Sequence, residues 1–301
     1  FNALSEGANR SKVPETTEFP KTKFVDFEQT ILPNGLKLTV AYQPSIPIVN
    51  FNLLLDAGYA ADQFSEPGTS SLAMAMLDEG TTKLSALEIS DAAANIGAII
   101  RASAGIDSSS VSLNALKENL DNSLKLYADV ILNPSFPINE LERLRNQRLA
   151  QIQQEKNQPF GIALRILPRL LYGDDHAYSL PLTGSGTEVS VKNITQDSLI
   201  QFHQDWFKPN NASMVVVGDI TMNEIRPKLE KYFKNWVPGT LQQKNIAPVE
   251  IQKNETIYLI DRPGAQQSIV LAANIAPSPA NSDELAVESM NEVIGGSFTS
   301  R

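Results

Sequence analysis

The sequence predicts an α+β fold, a mixed and mostly antiparallel sheet packed by helices, and three observations lead there. Short runs of two-residue apolar alternation are interspersed with stretches of helical period. An Asn34-Gly35 pair separates two alternating runs, the strongest short-range signal for a hairpin. Strands and helices do not alternate strictly, which speaks against a doubly wound parallel sheet.

Phe27 to Leu32 and Leu36 to Val40 form the arms of that hairpin. Ile48 to Asp56 is a further strand with Val49, Phe51, Leu53 and Leu55 on one face. After an Asp62–Gly68 loop, Thr69 to Leu77 reads as a buried helix. Ser85 caps the next helix, Glu88 completes a capping box, and Gly97 ends it. Ala98–Ala104 and Ser108–Ala115 are strand-like runs around Gly105-Ile106-Asp107. Leu120, Leu124, Tyr127 and Ile131 give Leu116–Leu132 a helical apolar face. Pro134 and Pro137 break it before a long helix over Asn139–Asn157. Phe160–Tyr172 is also helical, with a kink or early stop expected at Pro168. Thr195 caps a helix containing Phe202 and Trp206, Ala212–Val217 is a buried strand, and Glu224–Trp236 is amphipathic. Polar Pro238–Pro248 reads as a linker, and a strand pair is expected at Thr256–Ile260 and Gln267–Ala273. The expected organisation is a linker or hinge at 1–23, an α+β domain at 24–238, a linker at 239–250 and the beginning of a second α+β domain at 251–301, read together as a fragment.

Composition narrows function. The 301 residues are 42% hydrophobic and 20% charged, ordinary values for globular protein. A net charge of −9 with scattered Lys and Arg argues against nucleic-acid binding, which needs clustered cations. The absence of cysteine removes disulfides, thiol catalysis and thiolate metal sites, and fits an oxidising compartment such as a periplasm. No apolar run reaches the roughly 18 residues of a membrane-spanning helix.

The decisive segment is Gly68-Thr-Ser-Ser-Leu-Ala-Met-Ala-Met-Leu-Asp-Glu-Gly-Thr81. It resembles the inverzincin segment of the pitrilysin (insulinase) peptidase family. There a helix before Gly-Thr carries His-x-x-Glu-His, two zinc ligands four residues apart on one helical face with a general-base Glu between them. Leu32-Pro-Asn-Gly-Leu-Lys37, Asn133-Pro-Ser-Phe-Pro137, Pro209-Asn-Asn-Ala212, Val217-Gly-Asp219 and Ile294-Gly-Gly-Ser-Phe-Thr-Ser-Arg301 come in family order. The resemblance implies a mitochondrial-processing-peptidase-like domain. It also places the two His positions on Ser71 and Ala75, the Glu on Met74, and the third ligand, a Glu on the long helix, on Gln151. All four are replaced, so the resemblance implies no catalytic residue and no metal in this chain, with zinc only in a homologous partner half or subunit.

The function this implies is that of the non-catalytic half of a zinc metallopeptidase, enclosing and binding peptides for a zinc-bearing half and inactive by itself, located in a bacterial periplasm or envelope. Asn9-Arg-Ser-Lys-Val-Pro-Glu15 is similar to the hinge between fused halves of the family. The alternative is a structural or assembly protein on the same fold. The resemblance further implies that peptide adds to the edge of a sheet at Ile99, Ile100, Arg101, Ala102 and Ser103, where small residues after Arg101 leave the backbone approachable; the alternative is that this strand is interior or covered by a loop. His176 and His203, the only histidines, read as loop and helix-surface residues. Asp78-Glu79, Asp174-Asp175 and Glu140 with Glu142 read as solvated turns and helix faces, and Met74 and Met76 as core.

Overall fold

The computed structural model describes residues 21, 23–249 and 256–296. The hinge expected around Asn9–Glu15 and the terminal Ser297–Arg301 lie outside the described residues. Gly35 takes φ 92°, and Asn34 Oδ1 accepts the Leu36 N–H at 3.2 Å. That turn joins β1 (Glu28–Ile31) to an antiparallel β2 (Lys37–Tyr42). Four more strands complete one sheet: β3 (Ile48–Leu55), β4 (Ile99–Ala104), β5 (Ser109–Leu116) and β6 (Ala212–Gly218). Their order is β1-β2-β6-β3-β5-β4, antiparallel except where β6 runs parallel to β2.

Among the described residues the sheet is covered on one face only. On β3 the residues Val49, Phe51, Leu53 and Leu55 are buried while Asn50 and Asn52 are exposed, as the period of two requires. β5 repeats the pattern, with Val111, Leu113 and Ala115 inside and Ser110, Ser112 and Asn114 outside. The covering helices include α2 (Ala86–Asn95), α3 (Leu120–Leu132) and α8 (Met222–Tyr232). Tyr127 of α3 sits at the centre of this core, its ring 6.3 Å from Phe51 and 6.4 Å from Phe233. Its hydroxyl donates to the Val111 carbonyl at 2.5 Å, so no polar group is stranded by the burial. Each large side chain buried in this way contributes about 1.5–3 kcal/mol. The capping boxes at Ser85–Glu88 and Thr221–Glu224 both form and set where α2 and α8 begin.

Two elements differ from expectation. Helix α5 (Pro159–Tyr172) runs unbroken through Pro168. Proline removes the N–H that the Leu164 carbonyl would accept. Leu182 supplies the donor instead, at 3.1 Å, so a neighbouring loop repairs the helix. The strand pair expected at Thr256–Ile260 and Gln267–Ala273 is absent: residues 256–280 carry no strand, and Ile257, Leu259 and Val270 are more than 90% exposed. A strand holds its conformation through a neighbour's ladder, and these runs find none among the described residues. A short helix, α9 (Glu284–Asn291), comes after them and runs into a π-helical turn at Glu292–Gly296.

Candidate functional site

Helix α1 (Thr69–Ala75) lies against β4 and against α4 (Ile138–Asn157), the helix pair that the motif alignment requires. The four aligned positions hold nothing that could bind zinc together. Ser71 and Ala75 are half-buried, a hydroxyl and a methyl. Met74 is packed in the core at 1% exposure. Gln151 is exposed, and its amide donates to Glu155 Oε1 at 3.0 Å. Among the described residues no group of three or more His, Cys, Asp or Glu could hold a metal ion.

Polar chemistry does gather here, on residues that sequence reasoning passed over. Asp62, in the turn Tyr59–Phe64, is 2% exposed. Its Oδ2 accepts the Gly68 N–H at 2.7 Å and its Oδ1 the Ser70 N–H at 2.8 Å. Gly68 itself cannot cap α1 with a side chain, so this carboxylate satisfies the free donors of the helix start. Burial pushes the Asp62 carboxyl up to about 7, against those N–H bonds and the charge of Arg148. Arg148 is held below the ordinary guanidinium range by its own burial.

One turn along α4 from Gln151, Glu155 forms a shielded ion pair with Arg165 at 2.6 Å, their side chains 12% and 10% exposed. Glu155 Oε2 also accepts from Ser185 at 2.8 Å and Thr183 at 3.2 Å, while Arg165 donates to the Gly186 carbonyl at 2.6 Å. This pins the Thr183–Gly186 loop against α1, just ahead of the short helix α6 (Glu188–Asn193) that packs on α4. The fit is close enough that a Cβ on Gly186 would come within 2.1 Å of the Pro67 carbonyl, and Gly186 has φ 72°. A Cβ on Gly184 would lie 3.0 Å from the Ser71 hydroxyl and 2.8 Å from the Tyr59 ring. The loop therefore packs directly on the first aligned position. The only signal in the sequence was Arg165, a lone charge among the apolar residues of the first three turns of α5.

The two histidines are structural rather than surface groups. His176 is buried, stacked on Tyr172 at 4.8 Å, and its ring nitrogens engage the Tyr178 N–H and the Ala247 carbonyl. His203 stacks on Phe207 at 4.3 Å and bonds the Ile131 carbonyl at 2.7 Å. Burial lowers its pKa to about 4, so it remains neutral at ordinary pH. Both rings replace water with local partners, which chain position alone does not disclose.

β4 is the outer strand of the sheet. The Gly105 N–H donates to the Ser108 carbonyl at the turn. Alternation along the antiparallel register then commits Ser103, Arg101 and Ile99 to β5, and turns the backbone groups of Ile100, Ala102 and Ala104 outward. No described residue outside the sheet bonds to these outward groups.

Comparison with known proteins fits this arrangement. Residues 37–180 match the model for insulinase (peptidase family M16), and residues 193–301 match that for the peptidase M16 inactive domain. The chain belongs to the M16 peptidase family. It is an inactive M16-family domain. An uncharacterized zinc protease YmxG of Bacillus subtilis is 24% identical over 89% of this chain and 64% of its own length. A non-peptidase homolog YmxG of Helicobacter pylori is 22% identical over 89% of this chain and 61% of its own. The chain thus spans less than two thirds of either relative. A crystal structure of a peptidase M16 inactive domain from Pseudomonas fluorescens superposes with a TM-score of 0.79 at 24% identity, covering 91% of this chain and 65% of that one. The periplasmic protease PqqL of Escherichia coli superposes with a TM-score of 0.66 at 18% identity, over 78% of this chain and 26% of its own. Among the described residues no helix is long and apolar enough to cross a membrane.

Proposed function

We propose that this M16 domain is a non-catalytic half of a zinc metallopeptidase, located in a bacterial periplasm, that helps enclose peptide and binds it for a zinc-bearing homologous half. The carrying observation is the outer edge of β4, unpaired among the described residues and running beside α1, the helix that carries Ser71, Met74 and Ala75 where the family resemblance would place its zinc motif. An extended peptide adds to such an edge through main-chain hydrogen bonds, reading shape more than sequence. Ile100 and Ala102 offer the outward backbone groups, and Ile99, Arg101 and Ser103 stand on the exposed polar face that would line the chamber. Zinc and the general base belong to the partner half, and this chain contributes no step of the hydrolysis.

The test uses the register. Proline at Ser103 would strike the ladder to β5, whereas Ala102→Pro removes an outward N–H from an edge strand, where proline is tolerated. Assembled with its zinc-bearing half, the Ala102→Pro variant should fold and associate as before while peptide turnover falls. Unchanged turnover in a fully assembled variant would leave this half as a wall and favour the purely structural role.

A further inference from the structure

A cleft of about 700 Å³ opens on the helical side of the molecule, and no residue of β4 lines it. Its floor is α3, one wall is α2, and the opposite wall is α7 (Gln196–Trp206) with the chain just after α8. The volume falls in the range of small-molecule sites. Ile96, Leu126, Leu132, Phe207, Trp236 and Val237 make its surface largely apolar. Trp236 is held in place by an N–H bond to the Phe207 carbonyl at 2.7 Å, so that wall is preformed. Val237 is 63% exposed, which leaves apolar surface facing water at the mouth.

The charges around the cleft have one sign in excess. Lys83, Lys125 and Lys208 line it, against the single carboxylate of Asp129. That carboxylate is already engaged by Lys83 at 3.6 Å and by the Asn133 amide at 2.8 Å. Asp121, beside Tyr232, is taken by Lys228 at 2.6 Å. Lys125 and Lys208 make no ion pair among the described residues, in a chain whose net charge is −9. Of the other titratable groups on the walls, His203 is neutral and bonded to the Ile131 carbonyl, and the Tyr232 hydroxyl donates to Asp121 at 3.2 Å. Apolar walls with two uncommitted ammonium groups at the rim are complementary to a molecule with an alkyl tail and one anionic head.

We propose that this cleft binds an amphiphilic carboxylate of the fatty-acid class, its tail over α3 between Ile96 and Trp236 and its head between Lys125 and Lys208. The site is separate from the peptide edge, and its occupancy does not depend on the peptidase reading.

Calorimetric titration of the whole chain with sodium decanoate tests this, with decyltrimethylammonium and butyrate as comparisons. Decanoate should saturate at one per chain and perturb tryptophan fluorescence. The cationic amphiphile and the short acid should bind roughly tenfold more weakly or worse, because each lacks one of the two complementary features. Lys125→Glu with Lys208→Glu should weaken decanoate by roughly tenfold or more without raising the affinity of butyrate. Ala92→Trp, on the α2 wall, should block binding with the urea midpoint retained. Absence of saturable binding overturns the proposal, as does equal affinity for the two amphiphiles or indifference to both variants. A concentration-dependent dimer abolished by Ala92→Trp would also overturn it, making the cleft a contact between copies.

Discussion

Asp62 sets a pH dependence of stability that can be worked from its geometry. The folded state holds this carboxyl at about 7 instead of 3.8 because burial penalises its charge. Folded protein therefore keeps a proton that unfolded chain has released. Stability falls as pH rises through the interval between the two values and levels off above it. At about 1.4 kcal/mol per unit, this one group lowers stability by about 2.5 kcal/mol between roughly pH 5 and pH 8. Asp62→Asn removes the titration. The amide keeps one of the two N–H bonds to the start of α1 and turns its own NH₂ toward the other donor, so at the acid end the variant is weaker by about 1–2 kcal/mol. The gap should close and then reverse toward pH 8. Urea unfolding of both proteins across this range reads the effect directly, and each pH needs only the difference between them, which cancels the other titrating groups. A gap that stays constant across the range would refute the account.

The remaining predictions concern the packing around α1 and the lost ligands. Arg165→Met strands the shielded Glu155 carboxylate and should cost about 3–5 kcal/mol by urea midpoint, most of it recovered when Glu155 is also made Met. A cost within the noise of a surface substitution would show that water already reaches the pair. Tyr127→Phe keeps the ring and removes the second donor to the buried Val111 carbonyl, which retains the Leu53 N–H across the ladder, so stability should fall by about 0.5–1.5 kcal/mol, and an unchanged melting temperature would contradict a contribution from the hydroxyl bond. Ser71→His with Ala75→His and Gln151→Glu should create a zinc site measurable by metal titration, leaving Met74 in the core where a carboxylate would be costly. A folded triple variant that binds no zinc would refute the motif alignment, above all at Gln151.

Much of this molecule can be read without its tertiary structure, and the reasons are local. The Asn34-Gly35 turn and the capping boxes at Ser85–Glu88 and Thr221–Glu224 act within a few residues, so the amino acids themselves carry the signal. Strands β3 and β5 advertise one buried face by strict alternation, and the helix before Gly80-Thr81 carries Ser71, Met74 and Ala75 where the family resemblance would place two ligands and a base. What only the folded chain decides depends on partners brought from elsewhere. The Leu164 carbonyl in α5 is rescued by Leu182, a residue that the helix pattern cannot anticipate. Asp62 is a loop carboxylate by sequence, and becomes the cap of α1 only when its turn folds back on Gly68 and Ser70. Arg165 declares an odd charge on an apolar helix, but its partner is set by how α4 and α5 pack. Apolar patterning predicted strands at 256–260 and 267–273 as readily as at β4, while the edge position of β4 was only what the family resemblance implied. A strand takes its hydrogen bonds and its buried face from neighbours, so sheet order made β4 an open edge and left the other two without a ladder.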